Sequence, residues 1–512
     1  MKRRQIGSSN YPTCKAMWDT TTREPSGLPV RQSDFFTGIL DLSDELDYTI
    51  PVLSLQFVTI MFCTGKPCRW SPDKEKVSPD FKTHHHGGDV MESDPAKIKA
   101  QALADFSKYI GPMKVRTMKA AGLDIIEEKR EGVSVWDITG KKYIDCQTGS
   151  GIMNVGRRNP DIIEALKKAL DTYDIGVFLL CSKPKADLAK KLADIAPGDL
   201  QCSIFGAGGG EANDAAIKIA RGYTMKKEII YTEKAYHGHT GFALSAIGRD
   251  AYKEPFEPLI PGFKRVPFGD IDAIKKTITG DTAAIILEPI QGEGGINIPP
   301  DDYLPQVRQL CDEHEILLIL DEIQTGFGRT GKMFASEHWG VVPDIMTVAK
   351  SLGGSVYPIS ATIFKEEIQD FFIPHPFIHL STFGGSDLGC IVGMAVIDYI
   401  QKNNLADHAE KMGQRFRAGF ETFLKQYPTF LLEVRQKGLM MGLQYTNESI
   451  GPRMTKKLAD RGVIAIYTGN DPSICRLMPP LVISPEEVDF VLNALADSMK
   501  ELSGEAGLGK ND

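Results

Sequence analysis

Ile316-Leu317-Leu318-Ile319-Leu320-Asp321-Glu322-Ile323-Gln324-Thr325-Gly326 sets five apolar residues in a row against two carboxylates and a glycine turn. A short unbroken apolar run of this kind reads as a strand buried on both faces, and the acidic pair marks where it emerges. A second strand is expected at 345 to 348, within Pro343-Asp344-Ile345-Met346-Thr347-Val348-Ala349-Lys350, and a lysine closes it. The span from Asp321 to Lys350 is therefore expected to hold one helix-containing crossover and one strand. That arrangement brings the carboxylate and the lysine to the same sheet edge.

Outward from these two strands the same alternation continues. Helices are expected at 160 to 172, 184 to 195, 211 to 223 and 301 to 314, and strands at 201 to 205, 228 to 232 and 283 to 287. Strands and helices spaced in this way argue a largely parallel sheet flanked by helices. Earlier in the chain, Asp94-Pro95 opens a helical stretch through Tyr109. Residues 133 to 146 read as a hairpin turning at Thr139-Gly140-Lys141.

Ligands of such sheets sit beyond the carboxyl ends of the strands, and the conspicuous residues fall there. Strand 201 to 205 runs into Gly206-Ala207-Gly208-Gly209-Gly210-Glu211 and then a helix, where free amides and the helix dipole favour an anion. Strand 228 to 232 is followed by Tyr236-His237, and strand 283 to 287 by Glu288-Pro289-Ile290-Gln291-Gly292-Glu293. A carboxylate and a lysine at neighbouring strand ends are the pair a pyridoxal phosphate enzyme needs. The lysine holds the cofactor as a Schiff base and the carboxylate keeps its pyridine nitrogen protonated. Taken singly, each motif has a plainer reading: a magnesium-binding acidic pair, a solvated lysine, a tight glycine turn, a structural histidine. No Gly-x-x-x-x-Gly-Lys-Ser/Thr follows a strand, which excludes a magnesium nucleotide hydrolase.

Composition bounds the rest. With 512 residues the chain exceeds one ordinary domain. A net charge of -8 gives no reason to invoke nucleic acid or an anionic membrane. Nine cysteines without metal-ligand spacing point to reduced thiols and no metal site. The longest apolar window, Tyr48 to Cys63, carries Pro51 and Gln56 and is short for a membrane span, so a cytoplasmic protein is expected. Residues 1–95, with His84-His85-His86, read as a poorly ordered extension.

The motifs in order resemble the class III (ω-) aminotransferases of pyridoxal phosphate fold type I, over roughly residues 110 to 503. They are Leu-Glu-Pro-Ile-Gln-Gly-Glu-Gly-Gly at 287 to 295, Leu-Asp-Glu-Ile-Gln-Thr-Gly-Phe-Gly-Arg-Thr-Gly at 320 to 331, Pro-Asp-Ile at 343 to 345, Ala-Lys-Ser-Leu-Gly-Gly at 349 to 354 and Ser-Thr-Phe-Gly-Gly at 381 to 385. The resemblance implies an α/β fold with a large, mostly parallel seven-stranded sheet domain and a smaller α+β domain. The expected boundaries are 96–158 for the first part of the small domain, 159–395 for the large domain, 396–503 for the rest of the small domain and 504–512 for a tail.

It also implies residue roles. Lys350 is the Schiff-base lysine and Asp321 the partner of the pyridine nitrogen; Gln324 stands near the phenolic oxygen, and Tyr236 stacks on the ring with His237 beside it. Gly208, Gly209 and Gly210 take the phosphate, and Thr382 reaches the phosphate of a neighbouring subunit, implying a homodimer or dimer of dimers with shared sites. Arg476, in Ile474-Cys475-Arg476-Leu477-Met478-Pro479-Pro480, grips a substrate carboxylate, and Glu293 pairs with it when the bound amine has none. The implied reaction moves an amino group from a terminal amine, diamine or amino acid to a keto acid such as 2-oxoglutarate or pyruvate, by a ping-pong route. A racemase, epimerase or decarboxylating transaminase would keep the same lysine and aspartate, and a non-catalytic scaffold would need none of these residues.

Departures from the family pattern are Gly156-Arg157-Arg158-Asn159-Pro160, the hydroxyl-free Gly208-Gly209-Gly210, and Ser386-Asp387 after Gly385. Among subgroups, putrescine-type diamine aminotransferases look closest, through Asn154-Val155-Gly156, Leu259-Ile260-Pro261-Gly262-Phe263 and Val266-Pro267-Phe268-Gly269.

Overall fold

The computed structural model describes residues 94–177 and 179–505. The expected N-terminal extension, with its three histidines, lies outside them. At the centre is a seven-stranded sheet of β1 (Leu200–Gly206), β2 (Glu228–Thr232), β3 (Phe263–Val266), β4 (Thr282–Leu287), β5 (Leu317–Asp321), β6 (Ile345–Val348) and β7 (Ser360–Lys365). Their order is β1-β7-β6-β5-β4-β2-β3. The pairs from β3 through β6 are parallel, and β7 runs antiparallel to both β6 and β1.

The apolar runs form strands because both faces of this sheet are covered. Every residue of β4 and β5 is buried. Alternate side chains go to opposite faces. On one, Ile229, Ile286 and Ile319 pack with Ala216, Ile217 and Ala220 of the helix Gly209–Thr224. On the other, Ile230, Ile285, Leu318 and Leu320 meet Leu304, Val307 and Cys311 of the helix Tyr303–His314. Truncating one of these, Leu318→Ala for example, should cost roughly 2–5 kcal/mol through lost burial and the cavity left behind.

The register decides where function sits. Asp321 lies opposite Thr347, so the next turn after β6 returns Lys350 to the carboxylate end of β5. The connection between them is not the expected helical crossover: it holds turns and one short 3-10 helix, Ala335–Trp339. Two features prevent an α-helix. Phe327, Gly328 and Gly331 take left-handed backbone angles of 56°, 87° and 92°. The fully buried Glu322 carboxylate accepts hydrogen bonds from the Thr325 hydroxyl and from the amides of Ala335 (3.0 Å) and Ser336 (2.8 Å), folding the segment back on itself.

Two four-stranded sheets frame the central one. The first joins Glu127–Glu131, Ser134–Asp137 and Lys142–Asp145 to the distant Val463–Ile464, which runs parallel to the third strand. Its hairpin turn is held by Asp137 Oδ1, which accepts from the amides of Thr139 and Lys141. The second sheet, from Leu431–Lys437, Met440–Tyr445, Ile466–Tyr467 and Ile474–Leu477, carries Arg476 opposite Gly442. The last helix, Pro485–Glu505, runs past the expected start of the tail. Among the described residues, no helix is long and apolar enough to cross a membrane.

Candidate active site

Beyond the carboxyl ends of the sheet strands lies a cavity of about 370 Å³ lined by Gly209, Gly210, Tyr236, His237, Glu288, Asp321, Gln324 and Lys350, among others. Asp321 is its anchor. Its Oδ2 accepts from Asn213 Nδ2 at 2.7 Å and lies 2.8 Å from His237 Nδ1, and its Oδ1 accepts from the Ile323 amide at 3.1 Å. An ionised carboxylate can only accept, so Nδ1 is the protonated nitrogen of His237 in this contact. His237 Nε2 is buried and has no partner.

Asn213 was not among the expected site residues, although it ties three strand ends together. Its Nδ2 also donates to the His237 carbonyl at 2.7 Å, and its Oδ1 accepts from Thr347 Oγ1 at 2.8 Å. The available signal was an amide set among alanines, Ala212-Asn213-Asp214-Ala215-Ala216. A polar side chain on the buried face of a helix needs partners.

Lys350 stands directly after β6 with a left-handed φ of 43°. A non-glycine residue held there is strained by about 1–3 kcal/mol and persists only where its surroundings fix it. Burial pushes its ammonium below the usual lysine range; Glu293 opposes this, Arg476 adds to it, and Asp321 and Glu288 oppose it. The result favours a free, nucleophilic amine. Gln324 projects into the same cavity with Oε1 buried and unpartnered. A Cβ at Gly292 would overlap Gln324 Oε1 and turn that side chain aside.

Gly209 and Gly210 open the helix and line the cavity, whereas Gly208 is the residue before it and does not. Tyr236 is half-buried, and its ring meets His239 edge-on at 5.4 Å between centroids. Thr382 is exposed and does not line the cavity of its own chain.

Arg476 and Glu293 are paired to each other. Arg476 Nη1 donates to Glu293 Oε1, and Nη2 donates to Ser150 Oγ at 2.8 Å. Burial acts to raise the Glu293 carboxyl, but the adjacent Arg476 charge and hydrogen bond, with help from Lys350, outweigh it and hold the group at about 2. The Asn470 amide donates to the Glu293 carbonyl at 3.1 Å, fixing the backbone of this turn. Ser150 was also not foreseen. Among the described residues, no group of three or more His, Cys, Asp or Glu is arranged to hold a metal ion.

The family model for class III aminotransferases matches residues 117–499. The chain belongs to this family. An aminotransferase of Archaeoglobus fulgidus is 45% identical over 402 residues, covering 78% of this chain and 94% of the relative. A putrescine aminotransferase of Pectobacterium atrosepticum is 40% identical over 433 residues, covering 82% and 92%. Of solved structures, the ornithine aminotransferase of Toxoplasma gondii ME49 superposes with a TM-score of 0.74 at 29% identity, over 80% of this chain and 96% of that one. An (S)-enantioselective ω-transaminase of Thermomicrobium roseum does so with a TM-score of 0.73 at 30% identity, over 80% and 98%.

Class III aminotransferases are pyridoxal phosphate enzymes of fold type I, and this aminotransferase uses the same cofactor. The cavity fits it on its own chemistry. It offers a buried amine, a buried carboxylate, an unpartnered Gln324 Oε1 and the amide-bearing first turn of a helix. These groups suit a carbonyl carbon, a ring nitrogen, a phenolic oxygen and a phosphate in turn.

Proposed function

We propose that this aminotransferase takes a terminal amine, with diamines of the putrescine type as the leading donors, and passes the amino group to 2-oxoglutarate or pyruvate. The observation that carries this reading is the Arg476–Glu293 pair beside Lys350. Arginine is suited to a two-oxygen grip on a carboxylate. Glu293 neutralises that same guanidinium when the bound amine brings no carboxylate. One pocket can therefore serve an uncharged or cationic chain in one half-reaction and a dicarboxylic keto acid in the other. The 40% identity to a putrescine aminotransferase supports the same choice.

When bound, pyridoxal phosphate supplies the electron sink and carries the amino group between the two substrates. The residues around it divide the remaining work. Asp321, fixed by Asn213 and His237, would hold a proton on the ring nitrogen. Lys350 Nζ would bind the cofactor covalently and, once displaced by substrate, take and return the proton on the substrate carbon. Gln324 would orient the phenolic oxygen, Tyr236 would cover one face of the ring with His237 beside it, and the amides of Gly209 and Gly210, entered through Gly208, would bind the phosphate. Because the two substrates would use Lys350 and one cavity in turn, donor product would depart before acceptor binds and kinetics would be ping-pong.

The reading includes a cytoplasmic homodimer in which Thr382 of each chain serves its neighbour's phosphate. Exposed Phe377, Ile378, Leu380 and Phe383 around Thr382, with Val177, Leu179 and Leu180, supply an apolar face for that association. A donor panel of putrescine, cadaverine, ornithine, lysine, β-alanine and 4-aminobutyrate, each against pyruvate and 2-oxoglutarate, tests the substrate choice. Putrescine or cadaverine should release its aminoaldehyde before any acceptor is added. Turnover confined to α-amino groups would sink the terminal-amine assignment.

A further inference from the structure

Glu288 directly follows β4 next to the expected site residues, yet none of the roles above uses it. Its carboxyl lies at the cavity wall, only 5% exposed, with no lysine or arginine bonded to it. Instead it spans two loops: Oε1 accepts from the Tyr236 amide and Oε2 from the Gly292 amide, both at 2.9 Å. The first loop brings Tyr236 and His237 to the cavity, and the second is the turn that packs against Gln324 and leads to Glu293. The two loops leave different strands, β2 and β4, and this carboxyl is bonded to both.

We propose that Glu288 is a positioning residue: its two oxygens clamp the Tyr236 loop to the Gly292 turn, and a proton on either oxygen loosens the clamp. A carboxylate accepts from both amides at once, whereas a carboxylic acid turns one oxygen into a poor acceptor whose own O–H needs a partner. Burial pushes this carboxyl up to about 7; His237 opposes the shift, Asp321 adds to it, and the two amides oppose it. The charged and titratable groups facing it are His237 and Tyr236 from the first loop, Asp321 at the end of β5 and Lys350 after β6. The clamp is therefore closed on the alkaline side of neutrality and opens as pH falls through about 7. Fixing the walls of a cofactor cavity should tighten cofactor binding, so affinity should follow the clamp.

The inference rests on the cofactor site assigned above, but its test does not depend on which donor is used. Amide hydrogen exchange of the holoenzyme, corrected for intrinsic rates, is read at Tyr236 and Gly292 at pH 8 and pH 6, and cofactor dissociation is measured alongside. The amides of Ile323, bonded to Asp321, and Leu318, bonded to Asp344, are internal controls. Hydrogen bonds to a charged acceptor are worth roughly tenfold to hundredfold in protection. Wild type should lose about that factor at both amides from pH 8 to pH 6, with the controls unchanged and the cofactor held several-fold less tightly. Glu288→Gln should show the low protection and weak cofactor binding at both pH values, with the step gone. An equal step in Glu288→Gln, or no step at Tyr236 and Gly292 in wild type, overturns the proposal. The wild-type comparison decides alone if the variant does not fold. Failure of the donor panel with an intact step would reject the substrate choice and leave the clamp standing.

Discussion

The proposed cofactor end, at the cavity, and the proposed substrate end, beside it, are built in opposite ways. At the cofactor end, Asp321, Lys350, Gly209 and Tyr236 each stand within a few residues of a strand end in one sheet, so a single register places them all. At the proposed substrate end, Ser150, Glu293 and Arg476 come from three separated parts of the chain and stand outside the residues that line the cavity, close enough for Glu293 and Arg476 to act on the Lys350 charge, with Arg476 in the sheet of the C-terminal segment. In the first, Asp321 is held by Asn213, His237 and the Ile323 amide. The second is a pair of opposite charges, and under the proposed function Arg476 exchanges Glu293 for a substrate carboxylate. The two groups of residues are thus separated in sequence and supplied by different sheets.

The sharpest way to break this comparison is Lys350→Ala. It should remove the covalently held cofactor, seen as loss of the borohydride-sensitive visible absorbance, and lower turnover by at least roughly 10²–10⁴-fold for every substrate. A colourless but fully active variant would remove Lys350 from the cofactor end altogether. Arg476→Ala should act selectively instead. The half-reaction with 2-oxoglutarate should weaken roughly tenfold to hundredfold, the value of a charge-assisted contact, while that with putrescine changes little. Equal losses in both half-reactions would show that Arg476 does not divide the substrates.

Smaller effects sharpen the boundary between the two ends. Gly292→Ala sets a Cβ onto the end of the flexible Gln324 side chain, so Gln324 should turn aside at a cost of only about 0.5–1 kcal/mol in thermal or denaturant unfolding, while cofactor binding weakens as Gln324 is displaced. The Glu293 carboxyl is held at about 2, below its ordinary 4.5, so its contribution to stability is present above 4.5 and is lost as pH falls through about 2. Glu293→Gln should therefore alter unfolding at neutral pH and converge on wild type in strong acid. Gly208→Ser should be nearly silent, within about 0.5 kcal/mol, because open space surrounds that position; a large loss of cofactor would show that the turn tolerates no side chain.

Much of the cofactor end was legible in the chain. Apolar runs, interrupted in β6 only by Thr347, mark β4, β5 and β6, and Glu288, Asp321 and Lys350 are visible as polar groups at or just past their ends, where buried strands must surface. The strands Phe263–Val266 and Ser360–Lys365 were not read, since four- and six-residue segments with mixed side chains carry little period of their own. The crossover after Asp321 was read as helical because length alone suggested it. Left-handed glycines and the buried Glu322 carboxylate decided otherwise, and that carboxylate's partners lie 13 and 14 residues away.

By itself, then, the sequence determined which residues end buried strands and so which chemistry gathers at one sheet edge, because burial on both faces is written locally in hydrophobicity. Only the tertiary structure decided the partners. Asn213 joins Asp321 to His237 and Thr347, Glu288 bridges two loops, and Arg476 donates to both Glu293 and Ser150. Such pairings depend on register and on segments hundreds of residues apart meeting in space, and a hydrogen-bond partner leaves no periodic trace in the chain that must supply it.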